Sequence, residues 1–309
     1  MGKLLVFGHQ NPDTDAIASA ISFAYLQNQL GVEAEAVALG TPNEETQYAL
    51  NYFKKDAPRV VETVANETDQ VALMDHCEAQ QSVSDIQDVE VKFVVDHHRI
   101  ANFQTANPLY YRAEPVGCTN TIIYKLYKEN DVEIPASIAG LMVSAIISDT
   151  LLFKSPTCTK QDIVVATELS TIAGIDLNTY GLDMLKAGTN LSNKSEEVLI
   201  DLDAKSFTMG GKNLRIAQVN TVDVPELLER RAALVAAMSA SNAANNYDIF
   251  VLVITDILTS ESTILPVGTD LDTVAEAFNA SYQDGLLVLP GVVSRKKQVV
   301  PPLTNAFEG

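Results

Sequence analysis

Four short apolar runs, Lys3–Phe7, Ala34–Leu39, Val71–Met74 and Val89–Val95, are stopped at once by Gly8, Gly40, Asp75 and Asp96. Runs of four to seven residues ending on Gly or Asp read as buried strands. Helix-length segments separate the first ones. The first runs from Ala16 to about Leu30, with Ile17, Ile21, Ala24 and Tyr25 as its apolar face, Asp13 or Asp15 as cap and Gly31 as stop. The second, Asn43–Phe53, carries Glu44 and Glu45 in its first turn, where the helix dipole favours them. Strands alternating with helices predict a parallel sheet with helices on both faces.

From Gly117 the pattern turns helical, with helices expected over Thr119–Lys128, Ala136–Ile147, Gln161–Ala173 and Thr179–Leu185. The polar segment 187–195, AGTNLSNKS, reads as a flexible linker between domains 1–186 and 196–309. The second domain reads as a smaller α/β unit with a mixed sheet. Phe207–Met209 and Leu214–Val219 flank the hairpin signal Gly210-Gly211. Glu226–Ala240 and Leu271–Asn279 read as helices, and Ile249–Ile254, Ile264–Val267 and Leu286–Val293 as strands. A chain of 309 residues, 47% apolar, can bury two such cores.

All four histidines fall where a strand ends, each beside carboxylates. His9 precedes Asp13 and Asp15, His76 follows Asp75, and His97 and His98 follow Asp96. Loops at the carboxyl ends of parallel strands gather at one edge, where ligands bind. Imidazole plus carboxylate suits Mn²⁺, Co²⁺ or Mg²⁺ better than a structural zinc. Asp13, Asp15, Asp75 and a fourth acid are too many for one ion and point to two, with one carboxylate bridging. The fourth is Asp149, at the end of the apolar stretch AGLMVSAIISD, where it is either buried against a partner, bound to metal or capping the next segment. Paired ions of this kind activate water for in-line displacement at phosphorus.

With 40 acidic and 21 basic residues the formal charge is −19, so the chain repels nucleic acid and anionic membrane, and any anion site must bring its own cations. Arg295, Lys296 and Lys297 in SRKKQ, and Lys205 in DAKSFTMG, are the candidates. Three scattered cysteines argue against disulfides. No 18-residue apolar span occurs, and the short N-terminal apolar run does not fit a signal sequence, so a cytoplasmic location is expected.

The triplet Asp96-His97-His98 resembles that of the DHH phosphoesterase superfamily. With FGHQNPDTDAI, LGTPNEET, ISDTLLFKSPT, DMLKAGTNL and GVVSRKKQVVP the likeness runs nearly end to end, and it is to the family II, manganese-dependent inorganic pyrophosphatases. The resemblance implies a hydrolase that cleaves pyrophosphate at a dinuclear Mn site through a bridging hydroxide, with the two domains closing on the substrate. It implies one Mn²⁺ on His9, Asp13 and Asp75 and another on Asp15, Asp75, His97 and Asp149, with Co²⁺ or Mg²⁺ as substitutes. His98, Lys205, Arg295 and Lys296 would hold pyrophosphate, which brings a further Mg²⁺, and Asp96 would orient His97. A homodimer is implied as well. Cys77 stands where the family usually has Asn, and Pro301-Pro302, where one Pro is usual, reads as stiffening the tail. The short stretch between LGTPNEET and LMDH leaves no room for the nucleotide-sensing modules some relatives insert. The alternatives are a DHH phosphodiesterase of short or cyclic nucleotides, whose second-domain histidine motif is absent here, and a non-catalytic phosphate binder.

Overall fold

The structure, a computed structural model, describes residues 2–100, 102–189 and 191–309. It divides into two compact units, Met1–Gly188 and Thr189–Gly309.

In the first unit β1 (Leu4–Phe7), β2 (Ala34–Ala38), β3 (Arg59–Val60), β4 (Gln70–Met74), β5 (Glu90–Asp96) and β6 (Tyr110–Ala113) form one parallel sheet in the order β3-β2-β1-β4-β5-β6. The chain winds outward from β1 through β2 to β3, then returns to β4 and winds the other way. The order therefore reverses between β1 and β4. At such a switch point the two following loops diverge and leave a crevice at the strand carboxyl ends.

Alternation along the strands sets the two faces. Leu5, Phe7, Val71 and Leu73 pack with Val64, Cys77, Val83 and Ile86 beneath short 3₁₀ turns at Ala79–Gln81 and Ile86–Asp88. The opposite face is covered by α1 (Thr14–Gln29) and α3 (Thr119–Glu129). Then α4 (Ala136–Thr150), buried along nearly its whole length, packs on α1 and α3 and is covered in turn by α5 (Lys160–Ala173). Helices α2 (Glu44–Tyr52) and α6 (Leu177–Gly188) pack on each other beside them.

The second unit has a five-stranded mixed sheet in the order β11-β10-β9-β8-β7. Its strands are β7 (Lys205–Met209), β8 (Lys212–Thr221), β9 (Ile249–Asp256), β10 (Glu261–Gly268) and β11 (Leu287–Pro290). Only β8 and β9 pair in parallel. The β7–β8 turn is Gly210-Gly211 at φ 54° and 78°, positive at both positions as a two-residue I′ turn demands. Strand β9 is apolar on both sides. Ile249, Val251 and Val253 face α10 (Leu271–Ala277) and α11 (Val300–Glu308). Phe250, Leu252 and Ile254 face α7 (Glu196–Leu199), α8 (Val224–Glu229) and α9 (Arg231–Asn245).

Several local expectations change. The helix read over Glu226–Ala240 is two helices that break at Arg230. The Arg230 guanidinium donates to Glu196 at 2.8 Å and to the carbonyls of Leu191 and Lys194 at 3.0 and 2.7 Å. The segment read as linker is helical through Gly188 and tied down by Arg230 from Leu191 onward, while Asn190 lies outside the described residues. Pro301-Pro302 stands in the first turn of α11 rather than in a stiffened tail, since missing N–H groups cost nothing there. Strands β3 and β6 were too short to read from alternation. Among the described residues no helix is long and apolar enough to cross a membrane.

Candidate metal centre

The loops after β1, β4 and β5 meet at the switch point. His9 follows β1, and Asp13 caps α1, its Oδ1 accepting from the Ala16 N–H at 3.0 Å. Asp15 lies in the first turn of α1. Asp75 ends β4 with its backbone in the left-handed region, φ 61°, a conformation that costs energy for a residue with a side chain and is typical of functional sites. His97 and His98 follow β5, and Asp149 occupies the last turn of α4.

Three donor groups result, each with its ligand atoms within 4.8 Å of one another: His9, Asp13 and Asp75; Asp15, His97 and Asp149; and Asp75, His97 and His98. His9 Nε2 lies 3.5 Å from Asp13 and 3.4 Å from Asp75 Oδ2. His97 Nε2 lies 3.3 Å from Asp75 Oδ1 and 3.9 Å from Asp149. Asp75 thus turns one oxygen to each side. The cavity in front is about 530 Å³. A larger one, about 710 Å³, is lined by residues 86–91 and 102–107 and contains no histidine.

The donors fit a divalent cation. The Nδ1 of His9 faces the Gln10 carbonyl at 2.9 Å, and that of His97 faces the Val116 carbonyl at 3.0 Å. A carbonyl only accepts, so each Nδ1 carries the proton and each Nε2 is left as the ligand atom. Asp149 Oδ2 is buried with no hydrogen-bond partner. Asp15 is fully buried. It accepts from the N–H of Thr119 at 2.7 Å, from Asn120 Nδ2 at 2.7 Å and from Ser19 at 2.9 Å, so the N-terminus of α3 steadies it. The Thr119 hydroxyl donates to Asp75 at 3.1 Å.

Without a cation these charges are settled by protons. Burial, then the neighbouring Asp15 charge, push Asp75 and Asp149 up from the usual carboxylate range. Burial raises Asp15 too, but the His97 charge and the Thr119 N–H outweigh it and leave Asp15 low. Burial would lower the imidazoles, yet hydrogen bonds to Asp13 and Asp75 lift His9 to about 11, and Asp75 and Asp15 lift His97 to about 9. The carboxylates that hold these protons would hold a cation in their place.

One side chain differs from its expected setting. Asp96 does not orient His97. Its Oδ1 accepts from the His98 N–H and from His98 Nδ1, both at 3.0 Å. Side chains two apart share a face as β5 ends, and His97 points to the other. This pairing leaves His98 half-exposed at the mouth of the cavity, with its pKa raised by Asp96. Cys77 is buried among Leu5, Phe7 and Val83 in the core below the site. His76 is buried as well. Its Nδ1 meets the Met74 carbonyl, and burial lowers its pKa to about 4.

In the second unit Arg295 is buried in a single turn of π-helix, Arg295–Val299, which leads into α11. The turn is held by two glutamines. Gln298 accepts from the Val293 and Ser294 N–H groups and donates to the Gly291 carbonyl, and Gln218 accepts from the Arg295 N–H. The guanidinium donates to Asp203 through Nη2 at 2.8 Å and Nε at 3.4 Å. Lys296 and Lys205 are exposed, Lys205 opening β7. Asp203, Gln218 and Gln298 escaped the sequence reading because nothing local marks a residue that braces another. Thr119 and Asn120 were findable in principle, at the start of an expected helix.

The profile of the DHH family, N-terminal domain, matches residues 3–146, and that of the DHHA2 domain matches residues 182–306. An Enterococcus faecalis protein named probable manganese-dependent inorganic pyrophosphatase is 68% identical, over 99% of this chain and 100% of its own length. The manganese-dependent inorganic pyrophosphatase of Bacillus subtilis is 60% identical over 99% of both. This chain belongs to the manganese-dependent inorganic pyrophosphatase family. It is a hydrolase. A crystal structure from Methanococcus jannaschii, provisionally assigned as a family II inorganic pyrophosphatase, is 37% identical, with a TM-score of 0.64 over 98% of this chain and 99% of that one.

Proposed function

We propose that this chain hydrolyses pyrophosphate to two phosphates at a site with two Mn²⁺ ions. One is held by His9, Asp13 and Asp75, the other by Asp15, Asp75, His97 and Asp149. The observation that carries the reading is the shared Asp75, whose two oxygens face histidines of two donor groups. Co²⁺ or Mg²⁺ would substitute, since the donors are oxygens and imidazoles. When bound, the ions would supply charge for the phosphoryl oxygens and lower the pKa of water enough to make it a nucleophile near neutrality.

The protein's own groups do the rest. Asp96 accepts the Nδ1 proton of His98 and favours the imidazolium, whose Nε2–H is then the donor for a phosphoryl oxygen. Arg295, Lys296 and Lys205 are the cations for the substrate's negative charge. With Nε and Nη2 engaged by Asp203, the Nη1 group of Arg295 remains for phosphate. The reading requires the two units to close on a substrate carrying a further Mg²⁺ about the segment that joins them. It also assigns the chain to the cytoplasm as a homodimer.

The test is phosphate release from pyrophosphate by metal-stripped protein, with Mn²⁺, Co²⁺, Mg²⁺ or Zn²⁺ restored and a phosphodiester as control. Release that is fastest with Mn²⁺ and absent from the diester is expected. Release from the diester alone would replace this reading with the phosphodiesterase one.

A further inference from the structure

Glu45 is a carboxylate that the proposed reaction leaves without a task. It stands in the first turn of α2, behind the cap made by Asn43. Its Oε1 alone accepts from two hydroxyls, that of Thr14 at 2.9 Å and that of Ser148. Thr14 lies between Asp13 and Asp15, and Ser148 immediately precedes Asp149. A single oxygen atom is therefore tied to the neighbours of three expected ligands on two helices. Asp13 belongs to one donor group, while Asp15 and Asp149 belong to the other.

The brace is itself fixed. Thr14 is buried, and its hydroxyl also meets that of Thr46, one residue beyond Glu45, at 3.0 Å. On another side stands Gly188, the last residue of α6, where an added Cβ would come within 2.7 Å of Glu45 Cβ. Asp149 needs such a tie, because α4 ends one residue beyond it. Leu151, Leu152 and Phe153 are all left-handed, at φ 47°, 50° and 68°, so regular helical hydrogen bonding stops at Thr150.

We propose that Glu45 is a positioning residue for metal binding, which holds the N-terminus of α1 and the C-terminus of α4 at the spacing that both cation sets require. The proposal rests on the two-cation reading above. It assigns the work to the acceptor oxygen, so an amide there suffices.

The experiment is Mn²⁺ titration calorimetry on the stripped full-length protein. It compares wild type, Glu45→Ala, Glu45→Gln, Thr14→Val and the Glu45→Ala/Thr14→Val double variant. Glu45→Ala should weaken Mn²⁺ binding by about 10- to 100-fold, the usual cost of losing a residue that orients a ligand, and Glu45→Gln should stay within about threefold of wild type. Thr14→Val should weaken binding alone and cost less in the Glu45→Ala background than in wild type, since both delete the Thr14–Glu45 contact. Unchanged affinity in Glu45→Ala, a Gln variant as weak as the Ala variant, or additive losses would each overturn the proposal. Should Glu45→Ala not fold, Ser148→Ala reads the same contact, and undiminished affinity there overturns it too. Wild-type protein that binds no Mn²⁺ would instead refute the function on which the proposal stands.

Discussion

Adding Mn²⁺ to the stripped protein should raise the melting temperature of the first unit by more than 10 °C. On the proposed reading, the donor groups His9-Asp13-Asp75 and Asp15-His97-Asp149 would each hold one ion, with Asp75 serving both. The driving force is visible in the second group. When both are ionised, Asp15 and Asp149, with oxygens no more than 4.8 Å apart, repel by at least about 3.5 kcal/mol at an effective dielectric constant of 20. A cation converts that repulsion into attraction. At a free metal concentration 100 times the dissociation constant, one site adds about 2.7 kcal/mol and two add about 5.4 kcal/mol. In a unit the size of Met1–Gly188, each kcal/mol moves the transition by about 2–4 °C, which predicts a shift of about 11–22 °C. Scanning calorimetry with and without chelator measures it, and Asp149→Asn should remove about half, because it strips the charge from one site. A saturated shift below about 2 °C, or one that Asp149→Asn leaves whole, would refute the two-site argument.

Three other predictions test the surroundings. Asp203→Ala frees the Arg295 guanidinium and should lower kcat/KM by about 10- to 100-fold, the worth of a charged hydrogen-bonded pair, with Mn²⁺ stoichiometry unchanged in calorimetry; lost metal would count against the assignment. Gly140→Ala would set a methyl 2.3 Å from the Phe53 ring and should cost about 1–3 kcal/mol in urea unfolding, whereas a neutral result would mean the ring is loosely held. His76 has a folded pKa of about 4, below its unfolded value, so the folded state binds fewer protons. Its contribution is whole above about pH 6.5 and disappears as pH falls toward 4. About 3 kcal/mol of acid sensitivity should therefore be missing from His76→Leu in urea titrations over that window, and parallel pH curves for the two proteins would contradict it.

The donor residues were legible because their positions are a consequence of chain direction. A parallel sheet sends every strand's carboxyl end to one edge, so histidines and aspartates that follow strands must gather there. His9, Asp13, Asp75 and His97 lie at the ends of β1, β4 and β5, and that placement needs only the short apolar runs before them. Asp149 was legible for a different reason, as a charge at the end of an apolar helix. The hairpin at Gly210-Gly211 was legible because two positive φ values in succession admit little else. Strands β3 and β6, two and four residues long, carry too few alternations to register. The break at Arg230 is invisible locally, because it accompanies contacts to residues about 35 positions earlier.

The sequence by itself determined which residues carry charge and imidazole, which strands end beside them, and therefore which edge of the sheet becomes the site. Only the tertiary structure decided how those residues are held. Asp96 serves His98 rather than His97 because of the direction in which β5 ends. Glu45 reaches both Thr14 and Ser148, partners 31 and 103 positions away, because α2 packs against the ends of two other helices. Arg295, inside a basic run with no local sign of burial, is buried against Asp203. A local pattern records what each residue can do, since that depends on its own atoms and its periodicity. The partner that orients it is chosen by packing between distant segments, which no window of neighbouring residues contains.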